Sequence, residues 1–342
     1  MSFVVDNRFV FDVCPEFVSS FARLSQSWDP SQGTELGRVH TLYGGPSFSK
    51  LEHVFLSHLH YDHWGGLRHL LVWLMMFDRE NRLKSPLHIY IPAGSTEVFQ
   101  ARFFSSFANT EFSEGEMNDP NFFLNLLTVE LGEELRPLVR VHAVRSGEVL
   151  SLGRYTVMAR QNRHMKGSLG YKVFFEKYKL NEGQLELHNI PKGPLLSRLQ
   201  RDKRLIHEGK ELSLTDVFEV FRFGLGYSGD TPLDSGFVRW FGDVQLLIHE
   251  TSYLTNESVA HHDVHTTLVD LLPLLPQLEM LKLFLPVHFS QKLRWEDIED
   301  GVTDLSQDLP FSTHVPRFGD LVYLPNPTDP PKVFRINLTS RY

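Results

Sequence analysis

The run Ser57-His58-Leu59-His60-Tyr61-Asp62-His63 constrains this chain more than any other stretch of it. Four groups able to bind a metal, His58, His60, Asp62 and His63, fall within six residues. They follow the apolar run 53–56 and precede Gly65-Gly66 and an apolar helical stretch. A turn leaving a strand can point alternate residues into one cavity, while the adjacent Asp62–His63 pair reaches a second point. Imidazole nitrogen and carboxylate oxygen suit zinc or a similar transition metal, and do not suit calcium, which takes oxygen alone. A single catalytic zinc keeps three protein ligands and an open position, so four candidates in one loop argue for two metals.

The rest of the composition decides what surrounds that loop. With 342 residues, 42% of them hydrophobic and 12% aromatic, the chain can bury a sizeable core and is not disordered. One cysteine, Cys14, excludes an internal disulfide and a cysteine-clustered zinc site. The net charge of −8 argues against gripping nucleic acid over the whole surface, which needs clustered Lys and Arg. The opening MSFVVDNRFVFDV has no basic run ahead of an apolar stretch, and Leu70–Phe77 is far shorter than the roughly 20 residues of a membrane helix. A soluble cytoplasmic protein without membrane contact is the expectation.

Runs rich in Val, Ile, Leu, Phe and Tyr predict strands over 9–13, 53–57, 87–92, 139–144, 155–160, 169–176, 222–228, 244–249 and 281–287. Helices are expected over 15–24, 66–80, 95–107, 231–241 and 264–275. Mixed elements with no repeat and no linker point to one layered α/β or α+β domain, 1–342. Two regions read as additions: 109–137, polar and acidic at first, as a surface insertion, and 178–214, where Lys and Arg outnumber Asp and Glu, as a candidate substrate-binding arm.

Three more candidates recur at the ends of expected strands: His164 (NRHMKG), Asp230 (YSGDTP) and His288 (PVHFSQ). With the first four they total seven groups, about what two metals and a shared carboxylate need.

His58-x-His60-x-Asp62-His63 resembles the signature of the metallo-β-lactamase fold, an αββα sandwich with a dinuclear site at one edge. The later segments resemble its ribonuclease Z branch, endonucleases that trim the 3′ trailer from precursor tRNA. His164 with Gly170-Tyr171, Tyr227-Ser228-Gly229-Asp230-Thr231, His249-Glu250-Thr251, His265-Thr266-Thr267 and His288-Phe289-Ser290-Gln291 are similar to that family's segments and come in its order. The run 189–195, NIPKGPL, resembles the stretch near its tRNA-gripping arm.

The resemblance implies that His58, His60 and His164 hold one divalent metal, that Asp62, His63 and His288 hold the other, and that Asp230 bridges them. Zinc is the first choice, with manganese or iron also accepted by this ligand set. It further implies that Glu250 and His265 pair at the cleavage site, His265 protonating the leaving oxygen, and that the protein is a homodimer. A water activated between two metals suits in-line displacement at a phosphodiester, with Asp62 or Asp230 taking its proton. His249, whose side chain should point away from that of Glu250, is expected to be structural.

Some segments depart from the family. Its glycine-rich opening strand has no counterpart here, and its Asp-Cys-Gly-Glu reads Asp12-Val13-Cys14-Pro15-Glu16, so Asp12 should keep a structural role in an altered loop. Asn189 and Lys192 replace glycine and proline in the arm. None of these touches a candidate ligand, so the chemistry is better supported than the substrate. Against an endoribonuclease acting on precursor tRNA stand a hydrolase of a small phosphodiester, such as a cyclic nucleotide or another ester, and a non-catalytic binding protein. A lactamase or thiolester hydrolase fits less well, since the Glu250/His265 pair has no purpose in acyl transfer.

Overall fold

The structure, a computed structural model, describes residues 1–29, 31, 37, 45–77, 85–93, 120–255, 264–324 and 329–336. Two sheets face each other. In the first, β1 (Phe3–Val5) runs antiparallel to β2 (Phe9–Phe11), and β2, β3 (His53–Phe55), β4 (Leu87–Pro92) and β5 (Val139–Val144) follow in parallel. The second is mixed, in the order β14-β13-β12-β11-β8-β7-β6. Its strands are β6 (Val149–Leu152), β7 (Tyr155–Gln161), β8 (Leu169–Leu180), β11 (Phe218–Tyr227), β12 (Leu246–Glu250), β13 (Leu283–Val287) and β14 (Ser312–Thr313).

Strand alternation builds the layers. Phe9, Phe11, Phe55, Tyr90, Tyr171 and Tyr227 point inward and fill the space between the sheets. Val10, Val54, Ile89 and Val139 point the other way, onto helices α1 (Phe17–Ser27), α2 (Tyr61–Trp64), α3 (Leu67–Phe77) and α4 (Pro120–Leu131). Beyond the second sheet, α7 (Phe237–Phe241), α8 (Leu268–Leu271) and α9 (Trp295–Ser306) cover Leu247 and Phe284. The result is the expected αββα sandwich.

The nine expected strands all form, several with ends shifted by a few residues. Two helices are shorter than their apolar pattern. The expected helix 231–241 begins only at Phe237, because 228–236 is spent as loop around Asp230 and contains Pro232. The expected helix 264–275 reduces to Leu268–Leu271, capped by the Thr267 side chain and followed by Pro273 and Pro276. The expected helix 95–107 lies outside the described residues. The surface insertion over 109–137 does not hold from Pro120 onward: Leu124, Leu127 and Leu135 are buried against the first sheet.

The 178–214 stretch builds a projection on the two long strands β8 and β11, whose pairing runs on to Phe218↔Leu180. It comprises α5 (Glu182–Leu187), α6 (Pro194–Asp202) and the hairpin β9 (Arg204–His207) with β10 (Lys210–Ser213). Leu185, Ile190, Leu199, Leu205 and Leu212 give it an apolar cluster of its own. A last hairpin, β15 (Asp320–Tyr323) with β16 (Lys332–Arg335), is pinned through Asp320 to His314 and Arg335. Among the described residues no helix is long and apolar enough to cross a membrane.

Three histidines, His53, His88 and His142, line the inward face of β3, β4 and β5. His53 stacks on Phe9 at 4.9 Å, and Nδ1 of His88 lies 2.8 Å from Nε2 of His142. Burial pushes the His53 imidazole down to about 4. Its charged form is therefore favoured in the unfolded chain, and the stability it contributes is complete above pH 6.5 and lost as pH falls towards 4. Between those limits urea denaturation should register a loss of about 2 kcal/mol for this ring, allowing for solvent access. His53→Phe, which keeps the stack, should flatten that part of the profile.

Candidate metal centre

Every candidate ligand sits at the C-terminal end of a strand, and all those strands end at the same edge of the sandwich. The 58–63 loop leaves β3, His164 follows β7, Asp230 follows β11, Glu250 ends β12 and His288 follows β13. Open α/β architectures collect functional loops at such an edge.

The seven side chains meet there. Ligand-type atoms of His58, His60, His164 and Asp230 lie within 4.8 Å of one another, and so do those of Asp62, His63 and His288. Asp230 Oδ2 stands between the two groups, 3.7 Å from His58 Nε2, 3.3 Å from His63 Nε2, 3.9 Å from His164 Nε2 and 3.2 Å from His288 Nε2. Asp62 Oδ2 lies 3.3 Å from His63 Nε2 and 3.1 Å from His288 Nε2. His58 Nε2, His63 Nε2 and Asp230 Oδ2 are buried without any hydrogen-bond partner. Orphaned buried polar atoms are costly, and these three converge on one space. The residues present therefore fit a pair of divalent cations.

The electrostatics differ between the ligands: burial works against charge on His63, but the Asp230 and Asp12 carboxylates outweigh it and hold that imidazole well above its ordinary value. Burial depresses His58 far below its ordinary value, favouring the neutral imidazole that a metal requires. Burial tends to raise Asp62 and Asp230, but the neighbouring imidazoles outweigh it and hold both carboxyls well below the usual carboxylate range.

The opposite nitrogens are held by the fold. Asp12 is fully buried and in the left-handed region at φ 55°. Its carboxylate accepts from Ser57 N at 2.6 Å, Ser57 Oγ at 2.7 Å and the Tyr227 hydroxyl, and faces His63 Nδ1 at 2.7 Å. His164 Nδ1 lies 2.9 Å from the Val264 carbonyl, and His288 Nδ1 lies 3.2 Å from Ser252 Oγ. His288 is itself left-handed at φ 62°, a strained backbone of the kind that gathers at working sites. Two glycines allow the close approach. A Cβ on Gly229, at φ 59°, would stand 2.8 Å from the Leu169 carbonyl, and one on Gly66 would stand 2.0 Å from the Cys14 carbonyl.

Glu250 is buried, and it accepts from Thr231 N at 2.5 Å and Ser252 Oγ at 2.8 Å. His265 Nδ1 lies 3.1 Å from Glu250 Oε2, and the His265 ring is partly open to solvent. Burial and the nearby Asp230 carboxylate push Glu250 up, while burial pushes His265 down. His265 also falls within 4.8 Å of Asp230 and His288 through its ligand-type atoms, a proximity its assignment as a proton donor did not anticipate. His249 stands apart as a buried ring against Phe237 and Phe241, with Nδ1 2.7 Å from the Glu250 carbonyl.

Sequence reasoning passed over Asn162. Its amide donates to the carbonyls of Ser228 at 2.5 Å and Asp230 at 3.3 Å, tying the Asp230 loop to the strand end that carries His164. Only its place two residues before His164 hinted at this. Tyr227 was read as part of a motif, and its hydroxyl bond to Asp12 becomes visible only once the sheets are packed.

Asp12→Asn should leave the fold intact but weaken zinc binding about 10- to 100-fold in a chelator competition, because the amide cannot accept from His63 and Ser57 together.

No family model matches the chain. It is similar to the ribonuclease Z of Thermococcus kodakarensis, 28% identical over 303 residues covering 86% of this chain and 84% of that protein. The ribonuclease Z of Methanosarcina acetivorans is 28% identical over 285 residues, 81% of each chain. That of Thermococcus onnurineus is 31% identical over 226 residues, 64% of this chain and 61% of the relative. Among solved structures, the metallo-β-lactamase fold protein YhfI of Bacillus subtilis superposes with a TM-score of 0.50 at 11% identity, covering 93% of this chain and 88% of that one. The chain thus has the metallo-β-lactamase fold and is a relative of the ribonucleases Z.

Proposed function

We propose that this protein is a metal-dependent phosphodiesterase, an endoribonuclease that cleaves precursor tRNA at its 3′ end. The observation that carries the proposal is the convergence of seven ligand-type side chains, with three orphaned buried atoms, beside the Glu250–His265 pair. The similarity to named ribonucleases Z over most of the chain supports the substrate.

In this reading His58, His60 and His164 hold one divalent cation, Asp62, His63 and His288 the other, and Asp230 serves both. Zinc is the first candidate. When bound, the cations supply Lewis acidity to the attacking water and to the phosphoryl oxygens. The protein's own groups do the rest. The Asp62 side chain is 55% exposed whereas Asp230 is almost fully buried, so Asp62 is the carboxylate that solvent and substrate can reach. Glu250, pushed up and so able to carry a proton, donates it to Nδ1 of His265 and orients the ring, so that Nε2 holds the proton it passes to the departing oxygen and Nδ1 is resupplied from Glu250. Asp12, Ser252 and the Val264 carbonyl keep the ligand imidazoles in place.

One observation favours a second reading, hydrolysis of a small phosphodiester. Cations of the projection are matched by nearby acids, in the pairs Lys192–Glu182, Arg204–Glu211, Arg201–Asp202 and Lys203–Glu176. Phosphate contacts need charges that such pairing does not already neutralise. A homodimer, expected from the family, would be read by sedimentation of the metal-loaded protein.

Four experiments separate these roles. Metal-loaded protein should cleave a 3′-extended tRNA transcript as well as bis(p-nitrophenyl) phosphate. Joining Leu180 to Val217 removes the projection with its own apolar cluster, and should abolish tRNA cleavage while sparing the small ester; equal survival of both activities would favour the second reading. His265→Ala should keep full metal content and lose about 10²- to 10⁴-fold in turnover, whereas Asp230→Ala should lose metal and activity together. Metal loss in His265→Ala would make that ring a ligand.

A further inference from the structure

Tyr61 stands between two candidate ligands, His60 and Asp62, on the one-turn helix α2, and its side chain is not used by anything described above. It is 57% exposed, unusual for an aromatic ring so close to a buried polar cluster. The ring is nevertheless held. It folds over Gly65, where an added Cβ would meet it at 2.7 Å, and sets its edge against the buried Trp64 with centroids 6.1 Å apart. One face of a fixed ring is therefore presented to solvent at the rim of the site.

The loops around that rim carry cations although the chain as a whole is acidic. Arg163 precedes His164 and Lys292 follows His288, and both are exposed. A fixed aromatic face, with exposed cations on other loops that carry candidate ligands, suits single-stranded nucleic acid, bases stacking on the ring and phosphates meeting the cations. A small phosphodiester would need neither.

We propose that Tyr61 is the stacking platform for the nucleobase adjacent to the scissile phosphate, with Arg163 and Lys292 meeting the flanking phosphates. The inference rests on the phosphodiesterase reading and specifies its substrate as a single strand threaded across the rim. Stacking on an aromatic residue is worth about 5- to 140-fold in affinity per base. Tyr61 is on this account a binding residue and takes no part in proton transfer.

The test uses the metal-loaded protein and a 3′-extended tRNA transcript with 2-aminopurine at the first trailer nucleotide. The wild-type protein should quench the probe on binding, and Tyr61→Phe should keep the quench. Tyr61→Leu retains apolar packing over Gly65 without a π face; it should lose the quench and raise KM for the transcript about tenfold or more, with metal content at the wild-type level. The proposal is overturned if Tyr61→Leu leaves quench and KM unchanged, or if it loses metal and bis(p-nitrophenyl) phosphate turnover in parallel with RNA cleavage. The two readings fail separately. Quenching without cleavage by the wild-type protein supports the platform and removes the ribonuclease, whereas cleavage that Tyr61→Leu does not slow removes the platform and keeps the ribonuclease.

Discussion

The carboxylate of Asp12 is the constraint on which the candidate site depends. It is fully buried at the end of β2 and gathers four donor groups: the amide and hydroxyl of Ser57, His63 Nδ1 and the hydroxyl of Tyr227. Those groups belong to the ligand loop and the second sheet, and Asp12 itself follows a strand of the first, so one side chain fixes the register between all three. Four donors to a buried carboxylate are strong enough to hold Asp12 in the left-handed backbone that brings it there.

Around that anchor the fold carries a local cost. His58 Nε2, His63 Nε2 and Asp230 Oδ2 have given up water without gaining a hydrogen bond, and His288 adds a strained backbone. The surrounding sandwich offsets this through its inter-sheet layer, where Phe11 stacks on Phe55 at 5.2 Å and Phe55 on Tyr90 at 4.2 Å. Rigid packing of that kind keeps the imidazoles converging on one space.

The strands and the ligand loop were legible because both rest on short-range patterns. Apolar runs such as 87–92 and 139–144 coincide with β4 and β5 residue for residue, and four ligand types in six residues stand out in any chain. The helices over 231–241 and 264–275 were overestimated. Their apolar residues serve the outer layer, but their first turns are consumed by loops in which the Thr231 amide donates to Glu250 and the Thr266 hydroxyl donates to the Thr231 carbonyl. The segment after Pro120 misled for the opposite reason: a polar, acidic approach disguised a helix whose Leu124 and Leu127 are core. Asn162 offered no more than its place two residues before His164, and Ser252 offered nothing, since an amide or hydroxyl becomes informative only when its partner's position is known.

By itself the sequence determined the chemistry on offer: imidazoles and carboxylates at strand ends, in an order that resembles ribonuclease Z, on alternating strands able to form a layered core. Those properties follow from residue type and from periodicities of a few residues, which the chain carries whatever its fold. Only the tertiary structure decided that groups more than two hundred residues apart meet within a few ångströms, that Asp230 stands between the two clusters, and that Tyr61 faces outward at their rim. Such convergence depends on how two sheets pack and on which buried donors one carboxylate can satisfy, and both are long-range properties of the whole sandwich.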